Sequence, residues 1–338
     1  MDRTVDWDGG AVTAVDQRAL PSEYRLRRLG TVDELIAAIA DLTIRGAPAL
    51  GAAGALGVAL AVRRHAGDPA RVRDEAERVA AVRPTAVNLR RGVERALARL
   101  DEGADAVVAE ACALLDEDEA INRRMSGRAA DLVTSLCPDR PLRVLTHCNS
   151  GALATVAWGT GLGAVHELAD RGLVDEVLAC ETRPLLQGAR LTVWELRAMG
   201  VAHRLCVDSA GASAIARGLV DCVIVGADRV AANGDAANKI GTYALACAAA
   251  RSGVPMVVVA PESTVDHGTA SGADMVIEER AGDEVRTVAG VPTTPPDTPV
   301  YNPAFDVTPG DLLAAVVTEA ATFRDGAWTA ARAGVPAP

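Results

Sequence analysis

Aromatic side chains are scarce, at 3% of 338 residues. That is too few for the stacking platforms with which proteins hold single-stranded nucleic acid. Lysine is scarcer still: Lys239 is the only one, and every other member of the 34 basic side chains is arginine. Positive charge is in deficit overall, since 45 acidic residues leave a net charge of −11 and a pI near 5.0. This excludes a general nucleic-acid or anionic-membrane binder. No two cysteines are spaced CxxC, which removes zinc ribbons and dithiol redox motifs. The seven cysteines are odd in number and widely separated, as expected of a cytoplasmic protein. The opening MDRTVDWDGG lacks the apolar core of a signal peptide. Long apolar runs are missing too. The richest, 47–62, is interrupted by Pro48 and is shorter than the ~20 residues of a membrane span; it reads as a buried helix.

What is present is globular, with 49% apolar and 23% charged residues, and the length suits two domains. From 31 to 128 the apolar spacing is helical: TVDELIAAIADL, ALGAAGALGVALAVRRH, PARVRDEAERVAAV, NLRRGVERALARL and a further run through Ile121. Thr31 and Glu34 have capping-box spacing before the first helix. Gly51, Gly54 and Gly57 leave one helix face bare, so another backbone can approach it. Short strands are plausible before residue 31. From 141 onward RVLTHC, DEVLACE, HRLCVDS, DCVIVGAD, PMVVVAP and DMVIEER alternate with helical stretches, the pattern of a parallel sheet with crossover helices. A proline-rich surface excursion at 291–303 precedes an expected final helix at 309–323. The expected class is α/β: a mostly helical N-terminal domain over 1–128, contributing phosphate ligands, and a Rossmann-like parallel-sheet domain over 129–338 that carries catalysis.

In open parallel sheets ligands bind at the carboxyl ends of the strands, where Cys148, Glu181, Asp208 and Asp228 fall. Arg45-Gly46-Ala47-Pro48 puts a close-approach glycine and a guanidinium at a helix start, a combination that suits phosphate; the alternative is a tight loop with a solvated arginine. Arg83, before Pro84, is a second anion ligand or a surface arginine. Cys148, at a turn after a strand, is expected at a helix N-terminus that favours its thiolate. His147 points to the opposite face, so a Cys–His dyad is not expected. Glu181-Thr182-Arg183 and Gln187-Gly188-Ala189-Arg190 bring a carboxylate, two guanidiniums and an amide together for hydroxyl and phosphate recognition, or form an ion-paired loop. In the segment 226–242 a strand delivers Asp228, whose burial would raise its pKa into the acid–base range. Asn238 and Lys239 are expected to open a helix. Asn233-Gly234-Asp235 lacks the remaining ligands of a calcium loop, so no metal is expected.

Six segments stand in order: RGAP at 45–48, RPTAVNL at 83–89, THCNSGALAT at 146–155, ETRPLLQGARLTVWEL at 181–196, GADRVAANGDAANKIGTY at 226–243 and NPAFDVTP at 302–309. Together they resemble the methylthioribose-1-phosphate isomerases, in the superfamily that also holds initiation factor 2B alpha-type subunits, from about residue 7 to 319. The resemblance implies a homodimer converting 5-methylthioribose 1-phosphate to its ribulose isomer in methionine salvage, with no cofactor. It also implies Cys148 and Asp228 as the catalytic pair, and Arg45, Gly46, Ala47, Arg83, Gln187, Asn238 and Lys239 as substrate ligands. One departure is Asp208-Ser209-Ala210-Gly211, where relatives commonly carry an Asp-Asn-Met-Ala-type stretch; the exchange is expected to reshape a wall near the 5-substituent. The neighbouring readings are an isomerase of 5-deoxyribose 1-phosphate or ribose 1,5-bisphosphate, and a non-catalytic initiation factor 2B-like regulatory subunit. The last would lack the catalytic pair.

Overall fold

The computed structural model describes residues 2–84 and 86–331. It divides into two compact units, Met1–Arg123 with Ser150–Gly159, and Arg124–Asn149 with Thr160–Pro338. The boundary expected after 128 differs from this division in two ways. The division falls earlier, and a ten-residue stretch of the second half belongs with the first unit. That stretch is tied there by Thr4 N to Val156 O at 2.8 Å, Thr4 Oγ1 to Ala152 O at 2.7 Å and Gln17 Nε2 to Leu153 O at 2.7 Å.

The first unit opens with an antiparallel meander of β1 (Val5–Asp8), β2 (Ala11–Val15) and β3 (Leu26–Leu29). Helices α1 (Val32–Ala40), α2 (Ala47–Arg64), α3 (Pro69–Ala81) and α4 (Val87–Leu97) follow, then α5 (Ala104–Leu136), which runs through the division. The capping box forms: Thr31 accepts the Glu34 amide, and the Glu34 carboxylate accepts the Thr31 amide. Helix α2 is buried from Ala49 to Val62, because its small residues let α4 settle against it. A Cβ on Gly54 would lie 2.3 Å from Leu89 O, and one on Gly92 only 1.9 Å from Gly51 O. No helix among the described residues is long and apolar enough to cross a membrane. Thr85 of the RPTAVNL segment lies outside the described residues.

The second unit is built on β4 (Leu142–Thr146), α6 (Gly161–Asp170), β5 (Val174–Cys180), α7 (Val193–Ala198), β6 (His203–Cys206), α8 (Asp208–Ala216), β7 (Cys222–Val225), β8 (Arg229–Ala231), β9 (Ala236–Lys239), α9 (Thr242–Ser252) and β10 (Met256–Val259). After these come β11 (Val265–Asp266), α10 (Asp283–Arg286), the hairpin β12 (Thr287–Val288) and β13 (Val291–Pro292), and β14 (Phe305–Thr308). The chain then completes its main sheet with β15 (Ala315–Val317), β16 (Ala321–Arg324) and β17 (Ala327–Ala330). The main sheet has the order β17-β16-β15-β10-β7-β4-β5-β6. It is parallel from β15 to β6 and antiparallel at β16 and β17. Its central strands read as apolar runs because both faces are covered. A smaller sheet, β11-β8-β9-β14, carries the segment that follows Asp228.

Three local expectations are corrected. The helix expected at 309–323 is absent: Ala315, Val316 and Val317 are fully buried and pair in parallel with β10. β-Branched residues buried on both faces suit the sheet better than a helix surface. DMVIEER is not a strand, because β10 already has β7 and β15 as neighbours; its Val276 is 92% exposed. Asn238 and Lys239 end strand β9 instead of opening a helix, and α9 begins only after Gly241, at φ +106.

Candidate active site

Four adjacent strands, β7-β4-β5-β6, deliver their following residues to the carboxyl edge of the sheet, where a parallel sheet binds ligands. Beyond β4 come His147 and Cys148, and beyond β7 comes Asp228. The loop with Thr182 and Gln187 follows β5, and Asp208 follows β6. Strand β4 lies between β7 and β5, so Cys148 emerges between the segments that carry Asp228 and Gln187.

Cys148 is not at the start of an α-helix: a 3₁₀ turn at Ala152–Ala154 follows, and α6 begins at Gly161. Its backbone is instead left-handed, at φ +65, a conformation that costs an L-residue free energy and persists only when its surroundings enforce it. The enforcement is visible. Its amide donates to Thr182 Oγ1 at 2.9 Å, and its carbonyl accepts Thr192 Oγ1 at 2.6 Å. Thr182, itself at φ +66, is held by Asp208, whose two carboxylate oxygens accept the amides of Thr182 at 2.8 Å and Arg183 at 2.7 Å. Neighbouring Asn149 donates to Glu195 Oε1 at 2.7 Å. Asp208 falls at a strand end in the sequence, but this chain of contacts is not encoded locally, because Thr182 is 34 residues from Cys148. The strand-end position of ETRP was the available signal.

Gly188 cannot bear a side chain: a Cβ there would sit 1.7 Å from Cys180 O. Next to it, Gln187 Oε1 is buried with no hydrogen-bond partner among the described residues, an acceptor matched to a hydroxyl donor.

Lys239 is 4% exposed on β9, opposite Phe305 of β14. Burial depresses the pKa of its ammonium and Arg280 adds to this, while Cys148, Asp228 and Glu284 act in the opposite direction. Asn238 Nδ2 donates to Thr242 Oγ1 at 3.0 Å. Asp306, in the NPAFDVTP segment, accepts the amides of Gly241 and Tyr243 and so secures the start of α9. Arg280, ion-paired with Glu278 at 3.3 Å and also with Glu284, is a charged neighbour that the motifs did not reveal.

Asp228 is exposed, where an apolar pocket was expected around it. Gly211 is also reassigned. It packs inside α8, where a Cβ would meet Leu245 Cδ2 at 2.7 Å and Cys180 Sγ at 3.2 Å, so its lack of a side chain serves the core and not a sugar wall.

In the first unit, Arg45 and Gly46 precede α2, whose first residue is Ala47. Gly46, at φ +93, lies so close to Ala154 that a Cβ would stand 2.1 Å from its carbonyl oxygen. Arg83 is in the connection between α3 and α4. The start of α4 borders the first turns of α2, since Asn88 O is 3.3 Å from a Cβ built on Gly51. The structure thus groups the expected residues into two sets: Arg45, Gly46, Ala47 and Arg83 in the first unit, and Cys148, Gln187, Asp228, Asn238 and Lys239 in the second.

Comparison with known proteins gives this geometry a context. The chain is 61% identical over 322 residues to a probable bifunctional methylthioribose-1-phosphate isomerase/methylthioribulose-1-phosphate dehydratase of Nocardia farcinica, covering 94% of this chain but 58% of that longer protein. It is 53% identical over 313 residues to a methylthioribose-1-phosphate isomerase of Anaeromyxobacter sp. (strain K), covering 93% of this chain and 91% of that protein. A 5-deoxyribose 1-phosphate isomerase of Moorella thermoacetica is 45% identical, covering 95% of this chain and 93% of that protein. Among solved structures, 5-methylthioribose 1-phosphate isomerase from Pyrococcus horikoshii OT3 superposes with a TM-score of 0.89 at 40% identity, covering 96% of this chain and 93% of that one. The model of the initiation factor 2 subunit family matches residues 43–324, and the chain belongs to that family.

Proposed function

We propose that the chain is a methylthioribose-1-phosphate isomerase, an aldose–ketose isomerase that converts S-methyl-5-thioribose 1-phosphate to S-methyl-5-thioribulose 1-phosphate in methionine salvage. The observation that carries this reading is that Cys148 and Asp228 follow the neighbouring strands β4 and β7, with the buried Lys239 on the segment after Asp228. A regulatory subunit has no need of such a pair, nor of the left-handed backbone at Cys148.

Cys148 and Asp228 are proposed as the catalytic residues; Arg45, Gly46, Ala47, Arg83, Gln187, Asn238 and Lys239 are proposed as substrate ligands. Phosphate on the anomeric oxygen blocks ordinary opening of the sugar to an aldehyde. Asp228 donates a proton to the ring oxygen and the bond from that oxygen to carbon 1 breaks. A sugar lying over the exposed carboxyl removes its water, and that desolvation raises its pKa on binding. Cationic and helix N-terminal groups hold the phosphate and stabilise developing charge. Hydrogen then moves from carbon 2 to carbon 1, and the proton of the carbon 2 hydroxyl returns to the Asp228 carboxylate as the ketone forms. Two routes conserve atoms here: the Cys148 thiolate shuttles a proton through an enediolate-like species, or a hydride shifts directly while Cys148 stabilises charge. Turnover in deuterated water bears on the choice: solvent deuterium at carbon 1 assigns the shuttle, and its absence leaves the hydride shift or a proton fully shielded from exchange.

The seven free thiols support a reducing, cytoplasmic setting. The homodimer rests on the family resemblance and is tested by sedimentation. The test of the function is turnover of the purified chain with methylthioribose 1-phosphate, 5-deoxyribose 1-phosphate and ribose 1,5-bisphosphate. The methylthio sugar is expected to give the highest kcat/KM. A preference for the 5-deoxy sugar would reassign the substrate, and no ketose from any of the three would remove the enzymatic reading.

A further inference from the structure

Behind Cys148, three side chains converge that the isomerisation does not use. His147 leaves β4 into the interior and is 1% exposed; its Nε2 lies 2.8 Å from Ile240 O. A carbonyl only accepts, so Nε2 carries the proton and Nδ1 presents a lone pair. Burial is the largest influence on this imidazole and lowers its pKa. The Nδ1 atom is buried and has no hydrogen-bond partner among the described residues. It shares its surroundings with Cys180 Sγ and a carboxylate oxygen of Asp208, the three atoms lying within 4.8 Å of one another. Nδ1 is 3.7 Å from the Asp208 oxygen. A nitrogen, a sulfur and an oxygen so grouped suit a thiophilic divalent cation and not the oxygen-seeking magnesium or calcium. An imidazole whose remote N–H is anchored on a backbone carbonyl is what the outer shell of a metal site supplies. The Asp208 side chain is 30% exposed, so the cluster reaches solvent on that side.

We propose that His147 Nδ1, Cys180 Sγ and the Asp208 carboxylate form a binding site for a zinc-class divalent cation, and that its occupancy inhibits turnover. On binding, the Cys180 thiol loses its proton to solvent as the sulfur–metal bond forms; no electron is transferred. Inhibition follows from the neighbours. Asp208 holds the amides of Thr182 and Arg183, and Thr182 in turn holds Cys148, so drawing Asp208 onto a cation disturbs the Thr182 support of the catalytic thiol. The binding itself is independent of the isomerase reading; only the inhibition rests on it.

The test uses the full chain, stripped with a chelator and titrated with Co²⁺ alone. A near-ultraviolet sulfur-to-cobalt charge-transfer band with the visible bands of a low-coordinate ion is expected, and Zn²⁺ should abolish both by competition. His147→Gln and Cys180→Ser should each lose the bands, and Asp208→Asn should weaken Co²⁺ binding at least tenfold. Cys148→Ser and Cys206→Ser should keep the bands. Circular dichroism establishes folding, and if His147→Gln does not fold, Cys180→Ser and Asp208→Asn decide. No band in excess Co²⁺ overturns the site, as does a band that survives Cys180→Ser or disappears in Cys148→Ser. Bands without any fall in turnover of the Zn²⁺-loaded enzyme overturn the inhibition while leaving the site.

Discussion

The hydroxyl of Thr182 accepts the amide of Cys148 at 2.9 Å, and the two residues share a left-handed backbone, at φ +66 and +65. Each follows the end of a parallel strand. Thr182→Val removes the acceptor and leaves the Cys148 amide unsatisfied, at a cost of about 1–3 kcal/mol. We expect kcat to fall by roughly 5- to 150-fold with KM changed far less, and Thr182→Ser to restore most of it. Equal activity in the valine variant would show that the thiol does not depend on this contact.

Asp228→Asn keeps the shape of the carboxyl and removes its proton. Turnover should fall by about 10²–10⁴-fold, the usual worth of a general acid–base group, while calorimetry shows substrate still bound. Wild-type turnover would take Asp228 out of the mechanism.

Gly92→Ala tests the helix packing of the first unit. In an exposed helix, alanine would stabilise by about 1 kcal/mol. Here its Cβ would fall 1.9 Å from Gly51 O, a backbone atom, so the sign reverses. We expect a loss of about 1–3 kcal/mol, seen as a lower Tm; an unchanged or higher Tm would contradict the close approach of α2 and α4.

Asp118, on α5, sets a pH dependence of stability. Burial pushes its carboxyl up to about 7, against the opposing donors Val156 N and Asn122 Nδ2. Between the ordinary carboxylate value and 7 the folded chain holds a proton that the unfolded chain has lost. Stability therefore falls as pH rises through this window, by about 4 kcal/mol at most. Asp118→Asn keeps an oxygen for both donors and has no charge to desolvate. It should raise Tm at pH 8, match the parent near pH 4, and flatten the profile between. A variant with the parent's slope would assign that slope elsewhere.

Much of this was legible before any coordinates. The glycine spacing of α2 announced a close helix contact, Thr31 and Glu34 announced a cap, and the strand-end positions of Cys148 and Asp228 follow from alternation alone. What escaped was set by pairing over long sequence distances. Ala315, Val316 and Val317 look like part of a helix until β10 is seen to need a partner, and Asn238 and Lys239 look like a helix start until β14 pairs with β9. The exposure of Asp228 and the Asp208–Thr182–Cys148 chain are tertiary facts that local spacing does not encode.

The claim beneath all of this is that the thiol of Cys148 and the carboxyl of Asp228 serve one bound sugar. Its most direct test is alkylation of Cys148 by iodoacetamide, followed by peptide mass mapping, in the slow Asp228→Asn variant with and without methylthioribose 1-phosphate. The account predicts that saturating substrate protects Cys148, while the rate at Cys112 is unchanged. An alkylation rate at Cys148 that is the same with and without bound substrate would contradict it.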